Sequence, residues 1–194
     1  MIPYGRTIAY PLLLLSTIAH EMGHGLAAVV IGGSFERFVV HADGSGVAVW
    51  SGDFGRLGRA FIAAGGLVGP ALTAALGFAL GRSPTAARRG LLVFGIVLLL
   101  AVVLVVRNVF GVVFVGATGV LSLLVAIKGK PEFSQVMLLF VTCQLALSVF
   151  SRADYLFTDS AQTASGTMPS DVAQMASALF LPYWFWGGLC GMVS

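Results

Sequence analysis

The chain has 194 residues, of which 58% are hydrophobic and 10% charged, and its mean hydropathy is +0.96. Soluble domains carry about a quarter charged residues, so a water-soluble globule is excluded and a polytopic membrane protein is expected. The formal charge of +3 rests on 11 Lys and Arg scattered at the edges of apolar segments, where they meet lipid headgroups; this excludes a nucleic-acid surface and makes the lipid bilayer the expected surroundings.

A helix needs about 20 mostly apolar residues to cross the hydrocarbon. The first predicted span runs from Thr7 to Ile31. It is read as retained rather than cleaved, because no small-residue cleavage site is convincing and the apolar run continues through "HEMGH". Ser34 to Gly52, "SFERFVVHADGSGVAVWSG", has β-branched and aromatic residues on both sides of "DGSG", which predicts a β-hairpin with an open edge. Leu57 to Leu80 is the second span; within its "GGLVGPA", Gly65 and Gly69 form the GxxxG pattern that lets helices approach closely, and Pro70 predicts a kink. Leu91 to Val106 is short for a span, and Arg107 with Asn108 separates it from Val109 to Ile127, which leaves two spans or one span plus a re-entrant piece.

Phe133 to Phe150 follows, and then a polar loop, Ser151 to Asp171, rich in Ser, Thr and Ala and holding three of the eight acidic residues. Val172 to Val193 closes the series, passing Pro182 into "YWFWGG", an aromatic cluster suited to the membrane interface. The expected fold is an all-α polytopic membrane protein with five or six transmembrane helices and a short β-hairpin after the first, in a single domain over residues 1–194. With six spans, Arg6, Arg82, Arg88, Arg89, Lys128 and Lys130 fall on one side, and Arg37, Arg56, Arg59, Arg107 and Arg152 on the other, a near balance that only slightly favours a cytoplasmic N-terminus. Cys143 and Cys190 lie in apolar segments without CxxC spacing, so neither a disulfide framework nor a thiolate metal site is indicated.

The stretch "TIAHEMGHGLAA" sets two histidines and a glutamate inside the first span. A charge at the bilayer centre costs about 2.5–3.5 kcal/mol on insertion scales, so such residues are functional by default. "HEMGH" fits H-E-x-x-H: on a helix His20 and His24 lie one turn apart on one face, able to grip one Zn²⁺, with Glu21 beside the first ligand. The chemistry needs this arrangement, because neutral imidazoles hold the metal, the metal acidifies water, and a nearby carboxylate takes and returns the proton. A metal transporter would string such residues along a path across several helices; their concentration in one helical turn favours a fixed site.

The chain resembles the intramembrane zinc metalloproteases of the site-2 protease type, in particular their compact bacterial, peptidase M50B-like group. The resemblance covers most of the chain and rests on "AHEMGHGLAA", "GGSFERFVVHADGSGVA", "GGLVGPA", "RNVFG" and the pairing of "RADY" with "PSDVAQMA", in that order. It implies a membrane-embedded endopeptidase that cuts in or near transmembrane segments of other membrane proteins, with His20 and His24 as zinc ligands and Glu21 as general base. It also implies a multi-pass protein of the bacterial inner membrane. A catalytically silent pseudoprotease that binds membrane partners is the alternative, disfavoured by the intact "HEMGH".

A tetrahedral site needs a third protein ligand and leaves the fourth position to water. Site-2 proteases supply an aspartate, usually in an LDG motif, which is missing here; the single "DG" is Asp43 and Gly44 in the hairpin turn. Asp154 in "RADY" is the first choice, Asp171 in "PSD" the second and Asp159 the third, although Ser170 and Asp171 also read as a helix N-terminus. Asn108, the sole asparagine, is a candidate to steady an oxyanion or to satisfy a buried helix break. His41 reads as a surface histidine and Arg107 as an interface residue. A transmembrane substrate must unwind before its carbonyls can be reached, and the hairpin offers an edge, Phe38 to Val40 or Val47 to Val49, for pairing with the extended chain.

Overall fold

The computed structural model describes the backbone of residues 5–151, 153–163 and 166–194, and the side chains of residues 10–149, 155–162 and 166–194. Helix α1 (Gly5–Val30) leads into a hairpin of β1 (Ser34–Val40) and β2 (Gly46–Ser51). Four long helices follow: α2 (Arg56–Leu80), α3 (Pro84–Leu104), α4 (Val109–Lys128) and α5 (Pro131–Ser151). A short 3-10 helix (Ala153–Phe157), a second hairpin of β3 (Ser160–Thr163) and β4 (Gly166–Pro169), and two short helices, α6 (Asp171–Leu179) and α7 (Tyr183–Val193), complete the described fold. Helices α1 to α5 are long and apolar enough to cross a membrane, and α6 with α7 makes a sixth candidate as a pair bent by 116°. The expected bundle of five or six spans with a hairpin after the first is the fold observed.

The packing is that of a protein whose outer solvent is lipid. Leu72, Val103, Val109, Leu121 and Val136 are each more than half exposed, while Ser16, Thr17, Glu21, Thr142 and Ser148 are buried. Helices α1 and α2 touch backbone to backbone. A Cβ on Gly65 would sit 2.6 Å from Ala27 Cβ and 2.8 Å from the Gly23 carbonyl oxygen, and one on Gly69 would sit 2.8 Å from the Ala19 carbonyl oxygen. The GxxxG reading is therefore correct for this seam.

Three elements differ from expectation. The stretch that looked short, Leu91 to Val106, belongs to a full-length α3 that starts at Pro84: Ser83 caps it by accepting from the Ala86 N–H at 3.2 Å, and Pro84 occupies the first helical position. The charges that hid this start have a structural use, since Arg88 Nη2 donates to the Ile127 carbonyl oxygen at the end of α4 at 3.0 Å. The last apolar stretch is two helices, because Phe180 ends α6 in the left-handed conformation (φ 66°) and Pro182 follows two residues later. The polar loop contains the 3-10 helix and the second hairpin, whose strands pair Ser160 with Pro169 and Ala161 with Met168.

The first hairpin is fixed on three sides. Its Phe38 and Val40 side chains are fully buried against Leu14, Ile18, Leu98 and Val115. Its turn is tied to α1, with Tyr10 Oη donating to the Ala42 carbonyl at 2.6 Å and Thr17 Oγ1 to the Gly44 carbonyl at 2.7 Å. The outer edge of β1 is already occupied: the Phe38 N–H donates to the Val105 carbonyl at 2.8 Å and the Arg107 N–H to the Phe38 carbonyl at 3.1 Å. This overturns the expectation that Phe38 to Val40 could pair with another chain. Residues of an antiparallel strand alternate between facing their partner and facing away. Since Phe38 and Val40 bond outward and stand opposite Ala48 and Gly46, the N–H and C=O groups of Gly46, Ala48 and Trp50 face away from β1, and β2 has no second neighbour among the described strands.

Candidate metal centre

Helix α1 sets His20 and His24 one turn apart, with their Nε2 atoms 3.2 Å from each other. Helix α6 brings the carboxylate of Asp171 against both rings: Oδ2 lies 3.1 Å from His20 Nε2 and Oδ1 lies 3.3 Å from His24 Nε2. One ligand atom from each of the three residues lies within 4.8 Å of the others. Donors around a tetrahedral zinc with bonds of about 2.0–2.1 Å are separated by about 3.3 Å; the two imidazole nitrogens stand at that spacing, and the carboxylate lies against both. Asp171 turns a different oxygen to each ring.

The support around the cluster also suits a cation. His24 Nδ1 lies 2.8 Å from the Ile62 carbonyl oxygen. A carbonyl only accepts, so Nδ1 carries the hydrogen and Nε2 keeps its lone pair toward the cluster. Ring and carbonyl can meet because residue 66 on α2 is glycine: a Cβ there would overlap the Cε1 and Nε2 atoms of His24. Gly65 and Gly69 thus seat helix on helix, and Gly66 between them seats the imidazole. On its chemistry and spacing, the donor set fits zinc.

Glu21, 7% exposed, lines the same cleft, which has a volume of about 330 Å³. The start of β2 presses on it. A Cβ on Gly46 would lie 2.7 Å from Glu21 Cγ and 3.0 Å from Glu21 Oε1, so only glycine lets the strand lie this close. The outward edge of β2 forms one wall of the cleft, and Ala161, Met168 and Pro169 of the second hairpin line the other side. Asp171 is held by its surroundings: Ser170 caps α6 by accepting from the Ala173 N–H at 3.2 Å, and its hydroxyl donates to the Thr158 carbonyl at 2.6 Å. Tyr155 Oη lies 3.3 Å from Asp171 Oδ2, and the Tyr155 ring stands edge-on to His20 at a centroid distance of 6.1 Å. Burial, and then the charge of Asp171, push the Tyr155 phenol above its ordinary value, so it remains a hydrogen-bond donor.

Of the residues singled out from the sequence, His20, Glu21, His24 and Asp171 meet in this cleft. Asp154 has its backbone in the 3-10 helix, and its side chain lies outside the described residues. Asp159 accepts from the Ser170 N–H through its backbone carbonyl at 3.1 Å. Asn108 is absent from the cleft lining: its Nδ2 donates to the Val40 carbonyl at 2.6 Å and its Oδ1 accepts from the Val40 N–H at 3.3 Å, continuing the pairing along β1. Asn108 stands at the break before α4, but its amide serves Val40 on β1 rather than the helix end, where it makes no side-chain cap bond. Arg107 donates to the carbonyl oxygens of Val103, Leu104 and Val106 at the end of α3. His41 is at the hairpin turn. Tyr155, Gly66 and Gly46 carry site geometry that the sequence reading did not assign; Tyr155 and Gly66 stand inside the quoted "RADY" and "GGLVGPA", where the sequence gives each a place but no partner.

A family model described as Peptidase M50B-like matches residues 2–194. Comparison with curated proteins and with solved structures found no match.

Proposed function

We propose, from the premise that the chain belongs to the peptidase M50B-like family and is a multi-pass integral membrane protein, that it is a zinc-dependent intramembrane endopeptidase. Its substrates are then transmembrane proteins, cut in or near their membrane-spanning segments. The observation that carries this reading is the meeting of His20, His24 and Asp171, with one ligand atom from each within 4.8 Å of the others and Glu21 in the same cleft. His20, His24 and Asp171 would hold the metal. When bound, zinc supplies Lewis acidity toward a carbonyl oxygen and makes water acidic enough to lose a proton near neutral pH.

The chain's own residues supply the rest. Glu21 accepts the proton from the attacking water and returns it to the leaving amine, a role that needs a carboxylate beside the metal and sheltered from bulk solvent. The N–H and C=O groups of Gly46, Ala48 and Trp50 bind the unwound substrate as an added strand, which satisfies backbone groups that lipid cannot. Because Gly46 packs on Glu21, that strand lies against the general base in a fixed register.

The test is zinc content and cleavage of transmembrane peptides by purified wild type and Glu21→Gln. About one zinc in both, with cleavage lower by about 10²–10⁴-fold in the variant, is the expected result. Equal cleavage by Glu21→Gln overturns the role of the base, and absence of zinc overturns the metal. Ala48→Pro removes an outward N–H while leaving the β1 ladder intact, so it should lower cleavage about tenfold at unchanged zinc content. Full turnover by that variant would overturn strand addition along β2.

A further inference from the structure

Asp171 differs from the two histidines in how it reaches the site. The histidines project from a long helix sealed against α2, whereas Asp171 stands in the first turn of a nine-residue helix and its carboxylate points into an open-sided cleft. Two soft torsions separate that carboxylate from its backbone, and nothing in a helix start fixes them. Among the described residues, the contacts to its oxygens are the two imidazoles and the hydroxyl of Tyr155. The imidazole nitrogens are the atoms a metal would engage. Among the described residues, that leaves Tyr155 as the partner able to hold the carboxylate in both the free and the metal-loaded protein.

We propose that Tyr155 is a positioning residue, whose hydroxyl holds the Asp171 carboxylate in the place of third metal ligand beside His20 and His24. The inference rests on the zinc reading above. The Tyr155 ring is anchored independently of its hydroxyl, edge-on to His20 and packed against the core of Val172, Met175 and Cys190. Its position follows the chain on both sides: the Thr158 N–H lies 3.5 Å from the Tyr155 carbonyl, and Thr158 in turn accepts from Ser170, the cap of the helix that carries Asp171. One small folded unit therefore carries both donor and acceptor, which gives the pairing of "RADY" with "PSDVAQMA" a physical content. Outer hydrogen bonds to metal ligands act by orienting the ligand before the metal arrives, and losing one lowers metal affinity by about 10–100-fold.

Tyr155→Phe is the matched variant, since it keeps the ring and deletes the hydroxyl. Zinc affinity is read by competition with a chromogenic chelator in detergent, alongside melting of the metal-free and zinc-saturated proteins. The ligand field of bound Co²⁺, read by its visible absorption, gives a measure independent of activity. The expected result is a wild type that takes up one zinc and a variant that binds it about 10–100-fold more weakly, with an altered Co²⁺ spectrum and unchanged melting without metal. Equal affinity in the two proteins would overturn the positioning role while leaving the zinc reading intact. A fall in metal-free melting that accounts for the weaker binding would assign Tyr155 to packing alone and overturn it as well. A wild type with no zinc uptake dependent on His20 and His24 would overturn both. In an Asp171→Ala background, Tyr155→Phe should change the residual affinity no further, because the acceptor is gone.

Discussion

The two halves of the candidate metal cluster differ in how their side chains are oriented. His20 and His24 are fixed by helix packing: α1 lies on α2 through Gly23, Gly65 and Gly69, and Gly66 leaves the space into which His24 turns to meet the Ile62 carbonyl. Asp171 stands at the start of α6, which packs on α2 through Val172, Met175 and Ala178, and its carboxylate is then oriented by side-chain contacts, the Tyr155 hydroxyl among them. Moving the first half means separating two transmembrane helices; in the second the backbone is likewise packed on α2, and the orientation of the carboxylate is what a hydrogen bond can redirect. A site built this way can hold a constant two-histidine platform while its third ligand depends on how the loop and second hairpin are folded.

The contrast is broken most strongly at the proposed third ligand, Asp171. Asp171→Ala removes a donor from the cluster, so zinc affinity should fall by more than the roughly 100-fold that loss of an outer partner produces. Asp154→Ala, measured in parallel, should keep its zinc. The reverse pattern, with zinc lost from Asp154→Ala and kept in Asp171→Ala, would transfer the ligand role to Asp154 and break the division of the site between α1 and α6.

The histidine half is probed at Gly66. In Gly66→Ala the new methyl overlaps the His24 ring, which can escape only by leaving the Ile62 carbonyl or by driving α1 from α2. Overpacking of this kind costs about 1–3 kcal/mol, and zinc affinity should fall at least about tenfold because His24 loses its orienting partner. Chelator competition and thermal melting in detergent measure the two effects. Unchanged zinc binding would mean that the imidazole is not held by this seam, and the distinction between the halves would lose its basis.

This difference also explains what the sequence could say. The α1 half is legible because its information is local: H-E-x-x-H has helical spacing, and an ionisable triplet inside a span is conspicuous against lipid. The hairpin was legible for the same reason, from "DGSG" between β-branched runs. The proposed third ligand was not, because Asp171 reaches the histidines across about 150 residues of chain, and its helix-start signals, Ser170 and Asp171 before an apolar run, describe a cap equally well. The second hairpin lay unseen in Ser160 to Pro169, whose small and polar residues carry no alternating apolar pattern. Gly66 was visible as one of several glycines, but its requirement comes from a ring on another helix, and Asn108 was visible as an anomaly whose partner, Val40, lies 68 residues away.

The smallest expected effect sharpens the account of the histidine half at its far end, the hairpin turn. Asp43 Oδ1 accepts from the Ser45 N–H at 2.9 Å and from the Ser45 hydroxyl at 2.7 Å, and these bonds hold its carboxyl below the ordinary value of 3.8. The same turn is tied to α1 through Tyr10 and Thr17, and the start of β2 lies against both Thr17 and Glu21. A carboxyl with a folded value below its unfolded one stabilises the fold above the unfolded value, and that contribution disappears as pH falls through the folded one. Asp43→Ala should therefore melt slightly below wild type at pH 7, with the gap closing as both proteins are taken below about pH 4. Because the side chain is exposed, the gap should be small, and zinc content should not change. A gap that persists unchanged into acid would assign the effect to the shape of the turn rather than to the charge of Asp43.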